Sequence, residues 1–178
     1  MKVLNLHGYH ASAENSVCRA LRKHGYDVVS PEIDYDAQSP KEILTTLLNL
    51  YVSENCEAVA GSSMGGFFAI QAAAVKQCPA VLINPCLHAW EMDFINRDFA
   101  LEYVELFSNL SKLNLEKTFA IIGEKDDVIK SHDFVKYLLG LEHCVLIPNG
   151  GHPGSSLPLD EIFEDYGEEF FAINSEDC

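Results

Sequence analysis

Short apolar runs alternate with helically spaced apolar residues from one end of the chain to the other, the pattern of βα units and a mostly parallel sheet. Residues 3–6 predict a first strand. Ser12 predicts the cap of a helix carrying Val17, Ala20 and Leu21 on one face, closed by Gly25, and residues 27–30 a second strand. Ser39-Pro40-Lys41-Glu42 is a capping box with proline at the first helical position, and Ile43, Leu44, Leu47, Leu48 and Tyr51 follow at helical spacing. A helix is therefore predicted over 39–53. Residues 57–60, 80–83, 118–122 and 144–147 bring the strands to about six, and 67–76 is apolar on every side, so that helix must be buried.

Two segments differ. Between 87 and 115, Trp90, Met92, Phe94, Phe99, Tyr103, Phe107 and Leu110 are large and helically spaced with no strand signal, which predicts a short helical cap-like insertion. At the end, Leu159, Ile162, Phe163, Tyr166, Phe170 and Ile173 alternate with acidic residues, a docked helix with a solvated outer face.

A chain of 178 residues with 48% hydrophobic residues can bury one sizeable core, so a single α/β domain over 1–178 is expected, with helices on both faces of the sheet. A net charge of −15 argues against nucleic acid and against an anionic membrane as partners. No apolar stretch approaches the roughly 20 residues needed to cross a bilayer, and His7-Gly8 interrupts the start before a secretory h-region can form. The six cysteines (Cys18, Cys56, Cys78, Cys86, Cys144, Cys178) are then expected as free thiols in a cytoplasmic protein. No Cys-x-x-Cys occurs, and His7-x-x-His10 lacks a third ligand, so no metal is expected.

Gly61-Ser62-Ser63-Met64-Gly65 fits G-x-S-x-G, with a predicted strand before it and a helix after it. Such a turn strains the nucleophile's backbone, and the flanking positions must be nearly free of side chain for the chain to fold back. A serine needs a base. His152, in the glycine-rich loop after the last strand, is preferred over His132, on the loop that would carry the acid, and over His143, which begins a strand and so lies at the wrong end of the sheet. Gly123-Glu124-Lys125-Asp126-Asp127 offers the acid, with Asp126 preferred and Asp127 as the alternative. The order Ser, Asp, His is that of α/β-hydrolases. Backbone N–H groups of Tyr9, after the first strand, and Met64, after the nucleophile, would form an oxyanion hole.

Leu6-His7-Gly8-Tyr9, the turn around Ser63, Ile83-Asn84-Pro85, Asp126-Asp127-Val128 and Gly150-Gly151-His152 together resemble the small bacterial YqiA/YcfP-like esterases (the UPF0227 group) of the α/β-hydrolase superfamily. The resemblance implies a compact single-domain α/β-hydrolase fold. It implies hydrolysis of a small-molecule carboxylic ester or thioester by Ser63, Asp126 and His152 without a cofactor. Trp90 and Phe94 are expected to wall an apolar acyl pocket, the alternative being that the 87–115 side chains simply cover the sheet. A monomer or homodimer is expected. The competing functional reading is a catalytically silent scaffold that binds a small molecule or protein partner.

Overall fold

Each apolar run forms a strand in the computed structural model, which describes residues 1–172. In chain order the strands are β1 (Lys2–Leu6), β2 (Asp27–Val29), β3 (Ala58–Ser62), β4 (Ala80–Ile83), β5 (Thr118–Gly123) and β6 (Cys144–Ile147). All pair in parallel, in the order β2-β1-β3-β4-β5-β6. The helices are α1 (Ser16–Lys23), α2 (Pro40–Ser53), α3 (Met64–Lys76), α4 (Ala100–Phe107), α5 (His132–Leu139) and α6 (Leu159–Phe170).

Alternate residues of each strand feed two cores, as a sheet covered on both faces requires. Leu4, Leu6, Val59, Leu82 and Ile122 pack with α2, α3 and α5, while Val3, Ala60, Ile83 and Ile121 pack with α1 and α6. From β1 the chain moves outward to β2, then α2 carries it back across β1 to β3, and every later strand adds on the far side. The strand order therefore reverses between β1 and β3. At such a reversal two connections leave in opposite directions and open a crevice at the carboxyl ends of the strands.

Local chemistry accounts for the element ends. At α2, Ser39 Oγ accepts from the Glu42 N–H and Glu42 Oε2 accepts from the Ser39 N–H, so both bonds of the capping box are present. The cap of α1 is Asn15 rather than Ser12: Asn15 Oδ1 accepts from the Cys18 N–H at 2.8 Å. The residues before it are tied elsewhere, with the Ala13 N–H on Glu32 and the Ala13 carbonyl on the Ser30 hydroxyl. Ser30 falls outside β2, whose pairing with β1 ends at Val29, and its hydroxyl is bonded to Asn5 and Ala13.

The 87–115 segment is mostly single 3-10 turns (Ala89–Glu91, Arg97–Phe99, Ser108–Lys112) around the two-turn α4. Tyr103 of α4 is 1% exposed, with its ring 5.2 Å from that of Phe67 and 6.1 Å from that of Phe68 in α3. Leu87, Ala89 and Ile95 belong to the same cluster as α3, so these side chains extend the sheet's own core. In α6, Ile162, Phe163 and Phe170 are buried and Glu161, Glu164 and Glu168 face solvent. Ile173 and Cys178 lie outside the described residues. Cys18, Cys56, Cys78, Cys86 and Cys144 are free thiols, and among the described residues no helix is long and apolar enough to cross a membrane.

Candidate active site

Ser63 occupies the turn between β3 and α3 at φ 52° and ψ −118°, a conformation that costs a residue with a side chain and persists only where the surroundings impose it. They do so through its backbone. The Ser63 N–H donates to the Ile83 carbonyl, and the Ser63 carbonyl accepts from the N–H groups of Gly66 and Cys86, each at 3.0 Å. Its hydroxyl makes no capping bond to α3. A side chain on Gly65 would run into the carbonyls of Leu6 and His7, so only glycine lets the first turn of α3 sit on the end of β1. That turn leaves the Met64 N–H among the unpaired donors of a helix start.

The end of β1 meets Ser63 directly: a Cβ added to Gly8 would stand 3.1 Å from Ser63 Cβ and 3.6 Å from its Oγ. Buried His7 fixes the adjoining peptide. Its Nε2 accepts from the Ile33 N–H at 2.9 Å, which leaves Nδ1 to donate to the Gly8 carbonyl at 2.7 Å. The Ala11 N–H also donates to that carbonyl. With the Gly8 carbonyl held on one side, the trans peptide directs the Tyr9 N–H to the other. Both ring nitrogens of His7 are thereby engaged, and among the described residues no group of histidine, cysteine and carboxylate side chains converges as a metal site.

After β5, Asp126 turns back under the site with its side chain fully buried. Oδ1 accepts from the N–H groups of Val128 and Ile129 at 2.8 and 3.1 Å. Oδ2 takes His152 Nδ1 at 2.8 Å and, from the other side, His132 Nε2 at 2.9 Å. Burial pushes this carboxyl toward the neutral form, but the two imidazoles and two backbone donors outweigh it and hold it well below the usual carboxylate range. Asp127 points outward and is exposed. His143 stands at the start of β6 against Phe119, away from the carboxyl ends of the strands.

Two residues of the site escaped the sequence reading of roles. His132, weighed only as a rival base, is a second donor to Asp126, and its place on the same loop as Asp126 was the available signal. Asn84, noticed only for its family resemblance, is buried at φ 43° after β4, and its side chain joins the loops that carry Asp126 and His152.

The chain matches the model of the uncharacterised protein family UPF0227 over residues 2–105. It belongs to that family. A search of curated proteins returns no match. Among solved structures, this UPF0227 chain is similar to Est1E from Butyrivibrio proteoclasticus, with a TM-score of 0.72 at 13% identity over 92% of this chain and 87% of the other. It is also similar to the esterase PF2001 of Pyrococcus furiosus, with a TM-score of 0.61 at 20% identity over 95% of this chain and 80% of the other. A third is MGS-MChE2, an α/β-hydrolase from the sediment metagenome of the Mar Chica lagoon, with a TM-score of 0.64 at 17% identity over 100% of this chain and 92% of the other. At these identities the likeness shows the α/β-hydrolase fold.

In the UPF0227 chain, Ser63 and His152 line one cleft of about 290 Å³ together with Gly8 and Tyr9. No direct hydrogen bond joins the two side chains, and such bonds often tighten only when substrate is bound. The other walls come from α1 and the 153–155 loop rather than from 87–115. Phe94 reaches the cleft only through Tyr9, on which it stacks at 4.4 Å. Trp90 packs against His88 and Phe107, outside the cleft lining.

Proposed function

We propose that this protein is a serine hydrolase that cleaves carboxylic esters or thioesters through an acyl-enzyme on Ser63. The observation that carries the reading is the pairing of a strained serine, whose hydroxyl is not spent on the helix, with an imidazole in the same cleft. That imidazole's Nδ1 is bound to a buried, ionised Asp126. Donation from Nδ1 fixes the tautomer that leaves His152 Nε2 free to accept a proton.

Ser63 Oγ attacks the substrate carbonyl carbon as His152 Nε2 takes its proton, and Asp126 stabilises the imidazolium. The carbonyl π electrons move onto oxygen, where the N–H groups of Tyr9 and Met64 hold the oxyanion. Because His7 sets one peptide and the helix start sets the other, these donors need no reorganisation as charge develops. Collapse expels the alkoxide or thiolate, which takes the proton from His152. Water, deprotonated by the same imidazole, then repeats the sequence on the acyl-enzyme and releases the acid and the free serine.

A fluorophosphonate probe tests the reading. Labelling confined to Ser63, absent in Ser63→Ala and strongly slowed in His152→Ala, is the expected result. An unlabelled wild-type protein that also leaves short-chain nitrophenyl esters intact would favour the silent scaffold.

A further inference from the structure

The cleft beside Ser63 differs in charge from the rest of the surface. The chain carries 27 acidic residues against 12 basic ones, yet no Asp or Glu lines this cleft, and Arg19 does. Arg19 is exposed on α1, and its Nη1 donates to the Glu14 carbonyl at 2.6 Å. Among the described residues it makes no ion pair with a carboxylate. Its neighbours on the helix do: Arg22 is paired with Glu14 and Lys23 with Asp160. The hydroxyl-bearing residues Ser16, Ser62 and Ser155 complete much of the wall. On the other side of Tyr9 the arrangement is reversed, with Glu32, Asp34 and Asp36 around a separate cavity.

The geometry points to an ester or thioester that carries a carboxylate, with that carboxylate on the Arg19 guanidinium while the scissile carbonyl lies on Ser63. This rests on the hydrolase reading above. The acid-rich surface repels an anion in general, so a cleft lined by no carboxylate, which Ser63 shares with a cation that has no carboxylate partner, is where an anion is tolerated and held. A guanidinium fits a carboxylate in a bidentate fork. One cation matches a singly charged carboxylate better than a phosphate monoester, which bears nearly two charges. The acidic cavity beyond Tyr9 disfavours the reversed pose.

The test compares matched pairs in the wild type, Arg19→Glu and Arg19→Lys. On the acyl side the pair is 4-nitrophenyl hemisuccinate and 4-nitrophenyl butanoate; on the leaving-group side it is 4-acetoxybenzoate and 4-methylphenyl acetate. The charged-to-neutral ratio of kcat/KM is read for each, so intrinsic reactivities cancel between proteins. In at least one pair Arg19→Glu should lower the ratio by more than about tenfold, and Arg19→Lys should fall between that variant and the wild type, because the charge remains while the fork is lost. Rising salt should erode the wild-type ratio. Ratios within twofold of the wild type in both pairs would overturn the proposal. A binding arm uses the unreactive amides N-(4-nitrophenyl)succinamic acid, N-(4-nitrophenyl)butanamide, 4-acetamidobenzoate and 4-methylacetanilide. If no ester is cleaved yet an acid binds more tightly than its neutral partner and loses that advantage in Arg19→Glu, the hydrolase reading fails and the carboxylate site stands. If esters are cleaved and neither ratio nor affinity depends on Arg19, the site fails and the hydrolase reading stands.

Discussion

Asn84 holds His152 by its backbone: the Asn84 Nδ2 group donates to the carbonyls of both Gly151 and His152, at 2.9 Å each. Its Oδ1 accepts from the Gly123 N–H at 2.7 Å. One buried amide thus joins the ends of β4 and β5 to the loop after β6, and so sets His152 against Asp126. Asn84→Asp keeps the size and the tolerance for positive φ but offers oxygen where two carbonyls need a donor. We expect kcat/KM on a short-chain ester to fall on the order of a hundredfold, the scale of displacing a catalytic group by about 1 Å. Asn84→Gly, which relaxes the backbone and removes the amide, should fall comparably. Activity within threefold of the wild type in both, with circular dichroism unchanged, would mean that other contacts hold the loop.

Asp126 and Asp127 are adjacent, yet only Asp126 touches His152. Asp126→Asn can keep a hydrogen bond to the ring but favours the wrong tautomer, and kcat should drop by roughly 10³- to 10⁴-fold, as when a triad loses its acid. Asp127→Asn should stay near wild type. His132→Ala should fall between the two, because His152 keeps its partner but the carboxylate loses one of the donors that fix it. A more crippled Asp127→Asn would move the acid by one residue.

Much of this site was legible because its parts are local. A G-x-S-x-G turn between a strand and a helix announces Ser63, and a glycine-rich loop after the last strand announces His152. The sheet was equally readable, since strands buried on both faces are short continuous apolar runs. What the chain did not disclose is long-range pairing of polar groups. Nothing near Asn84 in sequence says that its amide will meet Gly151, and nothing near Ser12 says that Glu32 and Ser30 will tie down the residues after it and leave the cap to Asn15. The aromatic 87–115 segment was ambiguous because helical spacing marks a buried face without saying what covers it. Tyr103 against Phe67 resolves that for α4.

The depressed pKa of Asp126 makes a statement about stability. A carboxyl held lower in the folded than in the unfolded chain contributes stability that is complete above the unfolded value, about pH 4, and is lost as pH falls toward the folded value. The Tm advantage of the wild type over Asp126→Asn should therefore shrink as pH falls below about 4. An advantage that grows as pH falls below about 4 would contradict the hydrogen-bonded, ionised state of this residue.

Trp90 and Phe94 should separate in their effects. The Phe94 ring stacks on Tyr9 with an interplanar angle of 15°, His10 stacks on Tyr9 at 4.0 Å, and the Tyr9 hydroxyl donates to Asp36 at 2.8 Å. Phe94 thus steadies the residue whose N–H is proposed to hold the oxyanion. Phe94→Ala should lower kcat by up to about tenfold with little change in KM, because an oxyanion donor acts chiefly in the transition state. Trp90, half-buried with its ring 5.1 Å from those of His88 and Phe107, has no such link. Trp90→Ala should cost about 2 kcal/mol of stability, or roughly 4–8 °C in Tm, and leave the kcat/KM ratio between short and medium acyl esters as it was. If that ratio instead moves more than about tenfold, Trp90 walls the acyl site and the cleft at Ser63 extends under the 87–115 segment when substrate binds.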